Sequence, residues 1–417
     1  MPLGRGENAV FSMDCEKTGL NNNVVVCASS GGGKTMSIIE PRLLETHNTS
    51  LVVTVTKRKL VRKYGKMFTS RGYRVLDLNF AMPKTSNISY DPIRYISGYT
   101  DIRHLADSII NTENEINKNV DPYWNNTGAS FLSALIAYVM MTKSEPCFSD
   151  VLELLDTFEM AEGSNSNLVT NLDQKFEAVA EKDSHCFAIA CWNSFKNLSI
   201  KTAGCVYGVV TTAVSKVFSQ ELRLTMRYGQ KIDFCDLANE RTVLFITTSA
   251  VNPSLNCFVN IFYAQMFKQL FEYAESLPDA KLPLPVSVLC DDFATGSRIQ
   301  NFPEYISVFR EKQINVTLLL QSESQLEKKY GPEDAVTIIN NCDTYIYMGG
   351  MDLKTCWHIS ERLNIPLEEV LYMPVGKVVI FRRGQKPIIT ERYNILENAA
   401  YKEINAQFTE REQNTIE

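Results

Sequence analysis

The sequence predicts an α/β fold, a mainly parallel sheet interrupted by an inserted all-α domain. Three observations predict it. Continuous apolar runs rich in valine and isoleucine alternate with helix-period segments up to about Leu78, the pattern of strands buried on both faces by crossover helices. From Tyr99 to about Tyr228 such runs disappear and apolar residues recur at helical spacing. Strand-like runs then return and continue to Phe381. The α/β unit is therefore read as discontinuous, residues 1–98 and 229–400, the all-α unit as 99–228, and residues 401–417 as a polar tail or a fraying helix.

Taken in order, Val24 to Cys27 (VVVC) is the first strand. It runs into Ala28-Ser29-Ser30-Gly31-Gly32-Gly33-Lys34-Thr35, after which Met36, Ile38 and Ile39 begin a helical pattern. Leu51 to Thr56 is the second strand, a helix follows to about Thr69, and Tyr73 to Leu78 is the third. In the insertion, Leu105, Ile109 and Ile110 mark one helix. Phe131, Leu132, Leu135, Ile136 and Val139 mark a second, and Val151, Leu154, Leu155 and Phe158 a third. The later strands are Thr242 to Thr247, Val286 to Cys290, Val316 to Leu320, Thr344 to Met348 and Val378 to Phe381.

Composition narrows the function. With 417 residues, 45% hydrophobic and 22% charged, the chain has ample material for a core, which excludes disorder and a small disulfide scaffold. A net charge of -6 argues against coating nucleic acid with the whole surface, so such contact would need a local groove or a channel shared by subunits. The 11 cysteines are scattered singly and the 4 histidines lie at no ligand spacing, a pattern of reduced thiols without a zinc site. No apolar run reaches the roughly 18 residues of a membrane span, and Met1 to Gly6 has no signal-peptide character.

The glycine loop carries the chemistry. In G-x-x-x-x-G-K-[ST], backbone N–H groups cradle phosphate, the lysine reaches the terminal phosphates and the hydroxyl ligates magnesium. Ser30, Gly31, Gly32, Gly33, Lys34, Thr35 and Met36 form the candidate nucleotide-binding set, with Ala28 in place of the first glycine. Alanine there costs little if its φ is negative. An acidic partner is expected at the end of a distant apolar strand. Val286 to Cys290 followed by Asp291 and Asp292 supplies it: Asp291 to hold magnesium beside Thr35, and Asp292 as general base to polarise the attacking water.

With those motifs in place, Asp291 to Gly331 resembles a segment of the type IV coupling proteins, the TraG/TraD group of conjugation and type IV secretion ATPases. The shared features are an acidic pair, a phenylalanine, a glycine turn, a phenylalanine-containing helix, an arginine and a strand ending in Gln-Ser. Tyr90-Asp91-Pro92, Asp121-Pro122-Tyr123-Trp124, Asn341-Cys342-Asp343, Gly349 and Ile359-Ser360 extend the similarity over roughly residues 20 to 390. The resemblance implies a hexameric RecA-like ATPase that uses ATP and Mg2+ and delivers DNA or protein to a secretion channel. On it, Lys34 and Thr35 bind phosphate and magnesium, Asp291 is the Walker B acid, and Gln321 is the sensor at the end of the next strand. Arg310 is either the cation that reaches a neighbour's nucleotide or a solvated helix residue.

Three departures stand out. Asp292 replaces the usual glutamate, and a displacement of about 1 Å in a catalytic base can cost about 100-fold in rate. Only Lys57 is retained from the family's run after the second strand. The N-terminal membrane helices of many members are missing, which points to a soluble member with a separate membrane-anchoring partner or to a shortened chain. The cluster Lys57, Arg58, Lys59, Arg62, Lys63 and Lys66 reads either as a solvated helix face or as part of a nucleic-acid path, and Tyr123 and Trp124 as core or as base-stacking residues.

The resulting expectation is a coupling protein at the cytoplasmic face of the bacterial inner membrane. It would move single-stranded DNA, with relaxase or effector cargo, toward the other type IV secretion components. The rival readings are a nucleotide-gated docking adaptor with little hydrolysis and an FtsK-like duplex translocase or viral packaging motor.

Overall fold

A computed structural model describes residues 1–12, 15–56, 58–111, 121–164, 167–249, 254–295 and 298–414. The strands are β1 (Val24–Cys27), β2 (Ser50–Val55), β3 (Arg74–Asn79), β4 (Met160–Glu162), β5 (Leu168–Thr170) and β6 (Thr242–Thr247). They continue with β7 (Val286–Cys290), β8 (Ile314–Leu320), β9 (Thr344–Tyr347), β10 (Lys377–Arg382) and β11 (Ile388–Glu391). Nine of them form one sheet in the order β11-β10-β9-β1-β8-β7-β2-β6-β3. From β9 to β3 every pairing is parallel, while β10 and β11 are added antiparallel at one edge. One strand, β8, lies between β1 and β7, so the loops that leave β1, β7 and β8 emerge side by side at the carboxyl ends of the strands. That edge is where open parallel sheets bind ligands.

The strands read as unbroken apolar runs because both faces are covered. Successive residues alternate between the faces. Val24, Val26, Leu51, Val53, Val243 and Phe245 pack with Ile38, Leu43, Tyr64 and Phe68 on one side. Val25, Cys27, Val52, Leu244 and Ile246 join the core on the other side. There the helix Ser254–Ser276 lies against the sheet and presents Phe258 and Phe262 to Phe80 and Tyr90. The insertion's helices, among them Tyr99–Ile110, Pro122–Thr142 and Ile200–Val217, belong to the same continuous core. Inside it Phe176 stacks on Trp192 at 4.0 Å and Phe131 on Phe195 at 4.1 Å.

Several motif residues prove to be fasteners. Asp91, buried, accepts the N–H groups of Ile93 at 3.2 Å and Phe148 at 3.2 Å, tying the insertion to the sheet. Asp343 accepts the N–H of Asn21 at 2.6 Å, and Asn23 donates to the Asn341 carbonyl at 2.9 Å, which aligns the entries to β1 and β9. Asp121 caps its helix through the N–H of Tyr123 at 3.0 Å. The next two residues part company: Trp124 packs on the core, whereas Tyr123 remains 45% exposed.

Four expectations need correction. The insertion is helical except for the antiparallel hairpin β4–β5, whose three-residue strands are too short for periodicity to register. β11 was not anticipated either. The polar end is a helix, Ala399–Asn414, docked on the helix Lys59–Ser70 by the buried rings of Tyr401 and Phe408. The basic cluster is not one surface. Lys63 is buried and bound to Glu40 at 2.8 Å, with its ammonium 3.7 Å from the Tyr401 ring centre. Arg58 binds Asp77 at 2.5 Å, and Lys59 lies over Phe408. Arg62 and Lys66 are exposed, and Lys57 lies outside the described residues, as do Gly296 and Ser297 of the glycine turn.

Candidate active site

β1 ends against its neighbours: the Ala28 N–H donates to the Leu320 carbonyl at 3.1 Å and the Ser29 N–H to the Gly349 carbonyl at 3.1 Å. Ala28 is fully buried and lies outside the left-handed region, so alanine is tolerated where the motif has glycine. Gly31 and Gly33 do need glycine, with φ of +75° and +86°. Space around a side chain at Gly31 is open, so that side of the loop can take a ligand. After Lys34 the chain enters a wide π-type turn, Thr35–Ile39, and then the helix Glu40–Glu45. The Lys34 ammonium donates to the carbonyls of Ala28 at 2.7 Å and Leu320 at 3.4 Å, bridging the ends of β1 and β8.

The acidic pair follows β7. Burial, and next the charge of Asp292, push the Asp291 carboxyl up to about 6, opposed by Lys34. Asp291 also accepts the N–H of Asp292 at 3.1 Å. Asp292 has φ +48°, a left-handed backbone that re-aims its shorter side chain. Gln321, at the end of β8, donates its amide N–H to the Asp292 carboxylate at 3.5 Å. The fold thus brings Asp291, Asp292 and Gln321 to one cavity of about 250 Å³, and Lys34 close enough to act on the charge of Asp291.

Arg310 is elsewhere. It is exposed in the turn before β8, at the amino end of the strands and therefore at the opposite edge from its own Lys34. No hydrogen bond or ion pair engages its side chain among the described residues.

Sequence reasoning missed the cavity's other wall. Thr54, Asn256, Asn260 and Tyr263 line it. Asn256 donates to the Thr295 hydroxyl at 3.1 Å and Asn260 to its carbonyl at 3.2 Å, while Thr295 holds the Asp292 carbonyl at 2.7 Å. Tyr263 bonds Thr54. Two asparagines spaced i, i+4 in the mainly apolar first half of this helix were the available signal. The donor set suits a nucleotide with a hard cation: a glycine loop with a lysine and a hydroxyl, facing an acid raised by burial. Among the described residues no His/Cys/Asp/Glu cluster could hold a metal without further ligands.

Fold and site together define a P-loop nucleotide-binding protein of the RecA-like class. The chain belongs to the type IV secretory system conjugative DNA-transfer family, which matches residues 3–364. A comparison with curated protein sequences finds no match. Among solved structures, the bacterial conjugative coupling protein TrwBdeltaN70 in complex with sulphate superposes with a TM-score of 0.66 at 15% identity, over 89% of this chain and 85% of that one. Plasmid coupling protein TrwB with the ATP analogue ADPNP gives 0.66 at 14% identity, over 89% and 85%. VirB4 of Thermoanaerobacter pseudethanolicus gives 0.56 at 10% identity, over 94% and 96%. At these identities the likeness shows the fold. No helix among the described residues is long and apolar enough to cross a membrane.

Proposed function

We propose that the chain is an ATP-dependent coupling protein, a motor that brings DNA or protein cargo to a type IV secretion channel. The observation that carries this reading is the meeting of Asp291, Asp292 and Gln321 in one cavity beside the Lys34 loop. Ser30 to Gly33, Lys34, Thr35 and Met36 would hold ATP, and Thr35 and Asp291 would hold Mg2+, whose charge assists phosphoryl transfer. Asp292 orients and deprotonates the attacking water, and Gln321 holds the Asp292 carboxylate in place. Arg310, unpaired and remote from its own loop, serves the site of the next subunit, which calls for a ring, in the family's manner a hexamer. The helical segment 99–228 would receive relaxase or effector cargo and a separate partner would anchor the ring at the membrane. Two TrwB structures described as complexes with an ATP analogue and with ADP and Mg2+ support the choice of cofactors.

ATP hydrolysis measured with and without single-stranded DNA, over a range of protein concentration, tests the reading. It expects a DNA-stimulated rate that rises more than linearly with protein and is abolished by Lys34→Ala. Activity retained in that variant contradicts it. A second reading, a docking adaptor that binds ATP and barely turns it over, is favoured by the short Asp292 side chain. A flat rate alongside ATP binding supports the adaptor.

A further inference from the structure

Burying a guanidinium without a negative partner is costly, and one arginine of this chain is buried in that way. Arg42 belongs to the helix Glu40–Glu45 and is 8% exposed. Its Nη2 donates to the Ser287 hydroxyl at 3.1 Å and to the Asn315 side-chain oxygen at 3.4 Å. Its Nη1 donates to the thioether of Met1 at 3.5 Å, a weak acceptor. Its Nε is buried without a hydrogen-bond partner. No carboxylate pairs with Arg42 among the described residues, and burial pushes its guanidinium down to about 10. Ser287 and Asn315 do not depend on it, because the Ser287 hydroxyl also donates to the Asn315 side-chain oxygen at 2.7 Å.

Arg42 lines a cavity of about 800 Å³ at the amino ends of β1, β7 and β8, the edge of the sheet opposite the glycine loop. Phe11, Pro285 and Ile314 supply its apolar walls. The exposed side-chain charges that line it, Lys281 and Arg310 against Glu45 and Glu311, balance, which leaves Arg42 as the charge to be met. A phosphate would call for several backbone N–H donors, and at this edge they are spent. Ser50 donates to the Pro285 carbonyl at 2.9 Å, Val286 to the Gln313 carbonyl at 3.0 Å and Val316 to the Asn23 side chain at 3.0 Å. One buried cation between neutral walls matches a single carboxylate on a compact body. We infer that this cavity binds a small organic monocarboxylate of the size of an acylated amino acid, its head group paired with Arg42 and its body against Phe11, Pro285 and Ile314. The inference does not rest on the nucleotide reading.

Thermal melts of the full chain, nucleotide-free and at constant ionic strength, test it with N-acetylleucine, with its uncharged amide and with inorganic phosphate. The acid is expected to raise the parent's Tm in a saturable way, and the amide and phosphate to leave it unchanged. Arg42→Met removes the unpaired charge. Without ligand it is expected to melt as high as the parent or higher, and it is expected to bind the acid about tenfold or more weakly. Thr49→Trp fills the cavity from a half-buried position and leaves Arg42 in place. It is expected to melt like the parent and to lose the response to the acid, and it decides the matter if Arg42→Met does not fold. A parent that ignores the acid, or responds equally to acid and amide, overturns the inference. So does a folded Arg42→Met that melts well below the parent or keeps the parent's response, a Thr49→Trp that keeps it, or a Tm raised by phosphate and not by the acid.

Discussion

Asp291→Asn is the perturbation that separates the chemistry of the site from its cost to the fold. The Asp291 carboxyl is raised from the ordinary 3.8 to about 6, first by burial and then by the charge of Asp292. The folded protein therefore holds this proton more tightly than the unfolded chain. Stability conferred by the protonated form is present at low pH and is lost as pH rises from about 4 to about 6. The ionised carboxylate then costs the nucleotide-free protein about 3 kcal/mol at pH 7.5 and about half of that at pH 5, taking ~1.4 kcal/mol per tenfold difference in proton affinity. Asparagine removes the charge while keeping an oxygen that can accept the Asp292 N–H. Urea unfolding with a chelator present should show the variant more stable than the parent by about 3 kcal/mol at pH 7.5, with the gain roughly halved at pH 5. Mg2+ and ATP should reverse the order, stabilising the parent more than the variant. A variant less stable than the parent, or a gain equal at both pH values, would refute the reasoning.

Other outcomes follow from the same geometry. Lys63→Met leaves Glu40 buried with only the Tyr64 hydroxyl as partner, which should cost about 3–5 kcal/mol in urea unfolding and leave the salt dependence of single-stranded DNA binding unchanged. A stability loss under ~1 kcal/mol with a shallower salt dependence would return Lys63 to the nucleic-acid path. Asp91→Ala strands the buried N–H groups of Ile93 and Phe148 and should cost about 2–4 kcal/mol by the same assay, whereas an unchanged midpoint would remove Asp91 as a fastener. Asp292→Glu must fit a longer side chain on a left-handed backbone. A motor already aligned through that backbone should lose turnover, and a strong gain would mark the native site as detuned and favour the adaptor.

Much of this site could be read from the chain because its signals are local. VVVC followed by GGGKT, and VSVLC followed by two aspartates, each put strand, turn and chemistry within a dozen residues. Contacts between distant residues were not legible in the same way. Arg392 meets Gly32 across 360 residues, and the left-handed backbone of Asp292, though aspartate visits that region more often than most residues, is too rare to expect from its identity alone. β4 and β5 are three residues each, too short for an alternation to be counted. β11 is a half-exposed edge strand, without the doubly buried pattern that betrayed the central strands. Lys63 is the instructive case. Leu60, Lys63, Tyr64 and Phe68 form one buried stripe of their helix, so helical spacing already set this lysine inward.

The most direct test of the account mixes two inactive proteins. Lys34→Ala disables the loop and Arg310→Ala removes the cation proposed to serve a neighbour, so each variant alone should be silent. In rings assembled from equal amounts of both, random neighbours restore roughly a quarter of the sites. The account predicts DNA-stimulated ATP hydrolysis in the mixture well above either variant alone. Hydrolysis by Arg310→Ala alone at the parent's rate, or a mixture as silent as its components, would contradict a motor with shared sites.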